Sequence, residues 1–370
     1  MLDKAKYILV ATVALVAGAA CARVDVEEEL VPVSFTTYRQ RTETKADASY
    51  VAPGADFATG SVVGVYGYYH DASTWAAETA AGTNIPDFMY HTALTKQSDG
   101  SWTYSPIKYW PNEFGTGANS TNVDKLSFWG YYPRNVSGLN LYKPGTTTAF
   151  DNNTNGVPKA VFTQAENPAD QKDLMFTAPL RDLYRNDAEN HGAITNGEVT
   201  LVFKHALALV EFQLTEGTGA TLNTLSLTKI KKSGTVEDPG TVPFVWSNVG
   251  DEYTISQSGI SVNESTILRL LAIPQTLDAN ATFTLNYDIE FESSDPTHPD
   301  PIVYTGDSFS VKLFDNTNPD VSKRYGVTEW EAGKHYIYKI TAGLDRIEFE
   351  EIVEDAEDWS VGNDNISVPE

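Results

Sequence analysis

The chain has 370 residues, enough for about two domains with sizeable cores, and a lone cysteine excludes an intramolecular disulfide, so the fold must rest on apolar burial. Its 26 Lys and Arg against 50 Asp and Glu give a net charge of −24 at pH 7, which repels phosphate backbones and anionic lipid and argues against nucleic acid as a partner. Seven Trp, nineteen Tyr and sixteen Phe beside abundant Thr, Val, Gly and Asn make a β-protein composition, so the expected fold class is all-β.

At the N-terminus, Lys4 and Lys6 precede an apolar run from Tyr7 to Val16, then small residues from Ala17 to Ala20, then Cys21. That order is the layout of a bacterial secretion signal, and a small-residue site set against a cysteine is the layout of a lipoprotein signal, so residues 1–20 are read as a lipoprotein signal peptide. The run falls short of the roughly 20 apolar residues a spanning helix needs. After cleavage, the Cys21 thiol would take a diacylglycerol and the freed amine a third chain, and two or more acyl chains anchor a protein stably to the outer membrane. Gly18 departs from the branched residue usual three positions before the cysteine. The acidic cluster Asp25, Glu27, Glu28 and Glu29 that follows suits a solvated tether and is similar to the surface-export tag of Bacteroidetes lipoproteins.

Residues 21–45 then read as lipidated tether, first strand and basic linker. In VPVSF, Val31, Val33 and Phe35 alternate with Pro32 and Ser34, so three apolar side chains can lie in a groove, while Pro32 removes one amide donor and suits an edge strand. Arg39, Arg41 and Lys45 follow in YRQRTETKAD, a polar stretch with the composition of an exposed linker.

Residues 46–190 and 191–370 are expected to form N-terminal and C-terminal β-sandwich domains, divided by the polar stretch from Arg181 to Glu198. Within the first, Ala76 to Ala81 offers a helical turn, and the loop-rich stretch from Leu139 to Pro158 reads as a decoration. From Val199 to Leu214 the apolar positions are odd-numbered at Val199, Leu201, Phe203, Leu207 and Leu209, then even-numbered at Val210, Phe212 and Leu214. A slip of one residue turns later side chains to the opposite face, so a bulge or bend near Leu209 is expected to carry the strand from one sheet to another. Thr282 to Phe291 alternates cleanly and predicts a half-buried strand, as do the stretches around Leu225, Val311 and Tyr338. The prolines between Ser293 and Pro301 forbid regular structure there.

Signals for chemistry are scarce. The histidines at 70, 91, 191, 205, 298 and 335 lack the paired spacing of a metalloprotease, and no second cysteine completes a metal site. No metal, cofactor or catalytic residue is assigned, and the chain is not expected to be an enzyme. His298 beside Asp295 and Asp300 is the one place a cation could sit, and an ordinary exposed loop accounts for it as well. No G-x-S-x-G elbow or phosphate-cradling loop is present, and fifty carboxylates are too many to single out an acid and base pair.

The run SWTYSPIKYWPN from Ser101 to Asn112, followed by DKLSFWGYYP from Asp124 to Pro133, resembles the paired aromatic signature of the fimbrillin family of Bacteroidetes, the subunits of type V pili. DLMFTAP at 173–179, VTLVFKHALALVEFQL at 199–214, LLAIPQ at 270–275, WEAGKHYIYKI at 330–340 and the late pair Asp358 and Trp359 resemble that family's landmarks in order. Trp102, Tyr104, Trp110, Phe128, Trp129 and Tyr131 are read as core residues in this pattern and not as a ligand site. The resemblance implies two tandem transthyretin-like β-sandwich domains in an exported lipoprotein, trimmed by a trypsin-like protease after a basic residue near Arg39, Arg41 or Lys45, and polymerised by strand exchange. Its partners would be other pilus subunits and a host or bacterial surface receptor. The tail after Trp359 offers only Val361, Ile366 and Val368 as apolar donor positions, which favours a tip or accessory subunit over a stalk. A glycan-binding surface lipoprotein is the second reading, and an exported hydrolase a distant third.

Overall fold

The computed structural model describes residues 30–39, 57–111, 124–142, 156–184 and, with short interruptions, 194–355. Across them the chain is all-β apart from short 3₁₀ turns and one α-helix, α1 (Trp75–Ala81), whose start is capped by the Thr74 hydroxyl and whose end is capped by Gly82 in the left-handed conformation.

In chain order the first strands are β1 (Ser34–Arg39), β2 (Val62–His70), β3 (Met89–Lys96), β4 (Trp102–Thr103), β5 (Lys125–Tyr132), β6 (Leu139–Tyr142), β7 (Lys159–Thr163), β8 (Met175–Thr177), β9 (Leu180–Leu183), β10 (Ile194–Thr195) and β11 (Glu198–His205). All but β6 and β7 build one nine-stranded sheet ordered β1-β11-β8-β5-β2-β3-β4, with β10 paired to β11 and β9 to β5. Both of its faces are apolar, which is why every residue of β5 is buried. One face carries Val63, Val65, Leu126, Phe128, Leu201 and Phe203. The other presents the aromatic rings of Tyr66, Tyr68, Trp129, Tyr131 and Phe176.

The chain continues with β12 (Ala208–Thr215), β13 (Ala220–Val236), β14 (Trp246–Ile260), β15 (Thr266–Ala272), β16 (Gln275–Thr276), β17 (Thr282–Phe291), β18 (Ile302–Lys312), β19 (Glu329–Trp330), β20 (Lys334–Ala342) and β21 (Ile347–Asp355). A four-stranded sheet, β15-β12-β20-β21, packs on a six-stranded sheet in which β18-β17-β13-β7-β6 run in order and β14 also pairs β13. Their shared core makes a β-sandwich, centred on Phe212, whose ring stacks on Phe283 at 4.5 Å and on Tyr338 at 4.9 Å.

The phase slip expected near Leu209 has a concrete cause. β11 stops at His205 and β12 restarts at Ala208 in a different sheet. Before the break the odd-numbered Val199, Leu201 and Phe203 face the first core. After it the even-numbered Ala208, Val210 and Phe212 face the sandwich, while Leu207 and Leu209 enter the core that joins the two units. That joining core packs the aromatic face of the nine-stranded sheet against Phe162, Val236, Phe244, Leu271 and Ile273.

Two expectations about organisation change. The strand β11 lies beyond the division drawn at 190/191 and yet pairs with β1 and β8 in the first sheet, so the chain passes from one unit to the other at Ala206 and Leu207. The stretch from Leu139 to Pro158, expected to decorate the first domain, begins with β6, which pairs with β7 in the six-stranded sheet. The reason is the length of β13: β17 pairs with Ala220 to Thr228, and β7 takes Ser233 to Val236. The Pro-rich stretch after Ser293 connects β17 to β18 and lies largely outside the described residues.

Replacing Phe212 with Ala should lower the free energy of unfolding by about 3–5 kcal/mol, the cost of a large aromatic cavity that stacked neighbours cannot fill. Urea denaturation of the variant checks it, and a loss under about 1 kcal/mol would contradict this packing.

Candidate functional site: the first strand and the edge it closes

The segment read from sequence as a displaceable first strand is built into the fold at both of its edges. Pro32, exposed and unable to donate, stands opposite Tyr109 in an isolated antiparallel bridge. On either side of it the Val33 N–H donates to the Lys108 carbonyl and the Trp110 N–H to the Val31 carbonyl, each at 2.9 Å. From Ser34 onward the strand pairs with β11 in parallel, in register from Ser34 opposite Glu198 to Arg39 opposite Phe203. Residues 31–33 and then β1 therefore tie the stretch that follows β4 to β11, which lies at the other end of the nine-stranded sheet.

Its side chains complete the first core. Val33 and Phe35 are 1% and 2% exposed, Val31 is half-buried, and Thr37 is buried beside them. The Phe35 ring meets Phe128 edge-on at 5.2 Å and Tyr104 at 5.7 Å. The Tyr104 hydroxyl donates to the Val33 carbonyl at 2.6 Å, and burial pushes that phenol above its ordinary range, so it stays a neutral donor well into alkaline pH. Burying Val33 and Phe35 contributes roughly 1.5–3 kcal/mol each. If β1 were withdrawn, Glu198 to Phe203 would lose a six-residue ladder and the Lys108 carbonyl and Trp110 N–H would lose their partners, leaving an open apolar groove lined by unpaired backbone.

Of the basic residues, Arg39 is the last residue of β1, its backbone paired with Phe203, and so belongs to the ladder and not to the linker. Arg41, Lys45 and Cys21 lie outside the described residues, as do Val361, Ile366 and Val368. Trp102, Tyr104, Trp110, Phe128, Trp129 and Tyr131 are all buried, as core residues should be. Ile347 to Val353 lies in β21, paired along its length with β20. His298 and Asp295 fall outside the described residues, among which no cluster of three or more His, Cys, Asp or Glu is suited to a metal. Among the described residues no helix is long and apolar enough to cross a membrane.

Two constellations have no sequence signal. His70, fully buried, sets Nδ1 2.8 Å from the Glu78 carboxylate and Nε2 2.7 Å from the Ser127 hydroxyl. The arrangement has the form of a nucleophile, base and acid, but Ser127 is fully buried and its hydroxyl already accepts the Asp182 N–H at 2.9 Å. With the Asp182 carboxylate accepting the Trp75 N–H at 2.8 Å, the group clamps α1 onto β2 and β5. The second is a set of buried glutamines acting as substitute strand partners. Gln164 donates to the Leu271 carbonyl at 3.0 Å and Gln171 accepts the Leu271 N–H at 2.7 Å, which blocks the edge of β15 at that residue. Gln275 does the same for Lys231, accepting its N–H at 2.8 Å and donating to its carbonyl at 3.2 Å.

These features define an all-β, layered-sheet protein whose N-terminal strand closes its first sheet. Residues 44–359 match the model of the fimbrillin-like family, and the chain belongs to that family. The match begins beyond β1. Among solved structures the chain is similar to a fimbrial protein from Bacteroides vulgatus ATCC 8482, at 18% identity and a TM-score of 0.54, with 88% of this chain and 99% of that one covered. It is also similar to a candidate cell adhesion protein from Bacteroides uniformis ATCC 8492, at 16% identity and a TM-score of 0.50, with 90% and 99% covered. At such identities the likeness is one of fold. No curated protein matches the chain in sequence.

Phe35→Ala should cost about 3–5 kcal/mol, and Tyr104→Phe, which removes the hydroxyl's bonds to the Val33 carbonyl and to the Lys108 backbone, about 1–3 kcal/mol. Chemical denaturation separates the two, and a neutral Phe35→Ala would mean that β1 is not seated in the core.

Proposed function

We propose that this chain is a structural and adhesive subunit of a type V pilus, exported as a lipoprotein through Cys21, trimmed in the basic linker and assembled with other subunits by strand exchange. Membership of the fimbrillin-like family supports a pilus subunit at the cell surface, a role without catalysis, and the tandem transthyretin-like sandwich domains of that family accord with the layered sheets described above. The single observation that carries the finer reading is the seating of β1. With Val33 just ahead of it, it fills the first core through Phe35, ties β11 to the stretch after β4, and ends at Arg39, with Arg41 and Lys45 following in the linker. A cut just past this strand would leave it held by non-covalent contacts alone, and the groove it vacates has the apolar floor and unpaired edge that β-augmentation needs.

Arg41 and Lys45 are the favoured cleavage positions, because a protease binds its substrate as an extended unpaired chain and the backbone of Arg39 is already in the ladder. The outer membrane, reached through the Cys21 lipid, would hold the subunit until it is processed.

Limited trypsin treatment should cut first between Arg39 and Lys45 and leave a large resistant core. The cut protein should bind more of an apolar dye and form oligomers, and Ala at Arg39, Arg41 and Lys45 together should prevent both. Cut protein that stays monomeric without added dye binding, even with candidate partner subunits present, would sink the strand-exchange reading. Separately, Cys21→Ala should abolish palmitate labelling and release the protein from the membrane fraction, and persistent labelling would overturn the anchor.

A further inference from the structure

A cleft of about 440 Å³ opens near the joint of the two units, between the start of β14, the residues after β15, and the turn from β19 into β20. Its volume lies in the range of small-molecule sites, about 300–1,000 Å³. Pro243, Phe244, Trp246 and Pro274 give it flat apolar walls, and the exposed side chains of Thr276, Glu329 and Glu331 stand at its rim.

The walls are fixed and their polar atoms are already committed. The Trp246 indole N–H donates to the Ala206 carbonyl at 2.9 Å, and the N–H of Trp330, also in the lining, donates to the Tyr338 hydroxyl at 3.0 Å. The Gln275 amide is engaged with Lys231 and with the Ile273 carbonyl. The nearby backbone is committed too: Gln275 pairs with Trp330, Thr276 pairs with Glu329, and the Glu331 N–H donates to the Tyr336 hydroxyl at 2.8 Å. What the cleft offers a ligand is ring and proline surface below and, above, the Glu329 and Glu331 carboxylates and the Thr276 hydroxyl, with the half-buried Lys334 also in its lining.

We propose that this cleft binds a neutral saccharide unit of a glycan. One face of a pyranose is a row of C–H groups that packs on aromatic and proline surfaces, and its paired hydroxyls donate to a carboxylate in the charge-assisted hydrogen bonds that are the stronger kind. Glu329 and Glu331 supply those acceptors, and a chain of net charge −24 disfavours sulfated or sialylated sugars. The site is far in sequence from the basic linker and is formed in the uncut chain, so it does not depend on strand exchange.

The test uses the uncut protein and follows intrinsic Trp fluorescence and saturation-transfer NMR. The probes are neutral disaccharides (lactose, N-acetyllactosamine, cellobiose, mannobiose, xylobiose), anionic 3′-sialyllactose and a cationic tri-lysine peptide. At least one neutral disaccharide should bind saturably and at least tenfold more tightly than sialyllactose. The Glu329→Gln, Glu331→Gln double variant, whose changes are at exposed positions, should melt like the parent and lose that binding at least tenfold. Trp246→Phe should weaken it while keeping the wall apolar. No saturable binding across the neutral panel, unchanged binding in the double variant, or displacement of the sugar by tri-lysine would each overturn the proposal.

Discussion

Closure of the nine-stranded sheet by β1 is the constraint on which the first unit depends. An open sheet of that size would leave two edges of unpaired backbone and one apolar face exposed to water. The segment from Val31 to Arg39 covers the β11 edge and that face, pairing with residues 108–110 through Val31 and Val33 and with β11 from Ser34 to Arg39, and placing Val33 and Phe35 against Phe128, Tyr104 and Phe203. A strand held by a ladder on one side, a few bonds on the other and two deeply buried side chains is firmly seated while it is covalently attached. Cut from the chain, the same strand would have only local contacts to resist its exchange for another of similar pattern.

In the proposed strand exchange β1 is the strand that moves, and the other edges and faces of the fold are occupied in other ways. The aromatic face of the first sheet packs into a core shared with Phe162, Phe244 and Leu271, so the two units are joined by apolar contact and not by a bare linker. The edge of β15 at Leu271 is occupied by the side chains of Gln164 and Gln171. β21, at the far edge of the same sheet, carries acidic residues along its sequence, a familiar device against unwanted pairing. In β1, by contrast, the apolar side chains face inward and basic residues follow at once.

Period-two alternation made much of this legible. The run from Phe283 to Phe291 forms β17 with the expected bounds, and the slip within 199–214 marks a real passage between sheets because both cores it visits demand apolar residues. Val31, Val33 and Phe35 were likewise readable as inward-facing. What alternation cannot supply is the identity of a strand's neighbour. Nothing local distinguishes a β1 that pairs in parallel with a distant β11 from one that forms a hairpin, and nothing in β6 and β7 reveals that β13 runs on far enough to recruit them. The division placed in the polar stretch before Glu198 followed composition, whereas the passage between units lies in an apolar stretch at Ala206 and Leu207. The glutamines and the group of His70, Ser127 and Glu78 read as ordinary polar residues, because their roles come from partners brought near by the fold.

The central claim is that β1 is a replaceable closing strand of the first sheet. Hydrogen exchange read by mass spectrometry tests it most directly, comparing intact protein, protein cut in the basic linker and freed of its N-terminal peptide, and the same cut protein supplied with a synthetic peptide of residues 30–39. The account predicts that removal deprotects Glu198 to Phe203 and the segment around Lys108 and Trp110 while β12, β17 and β20 stay protected, and that the peptide restores the lost protection. Exchange at Glu198 to Phe203 that is the same in all three samples, or a loss of protection spread through the whole molecule, would contradict it.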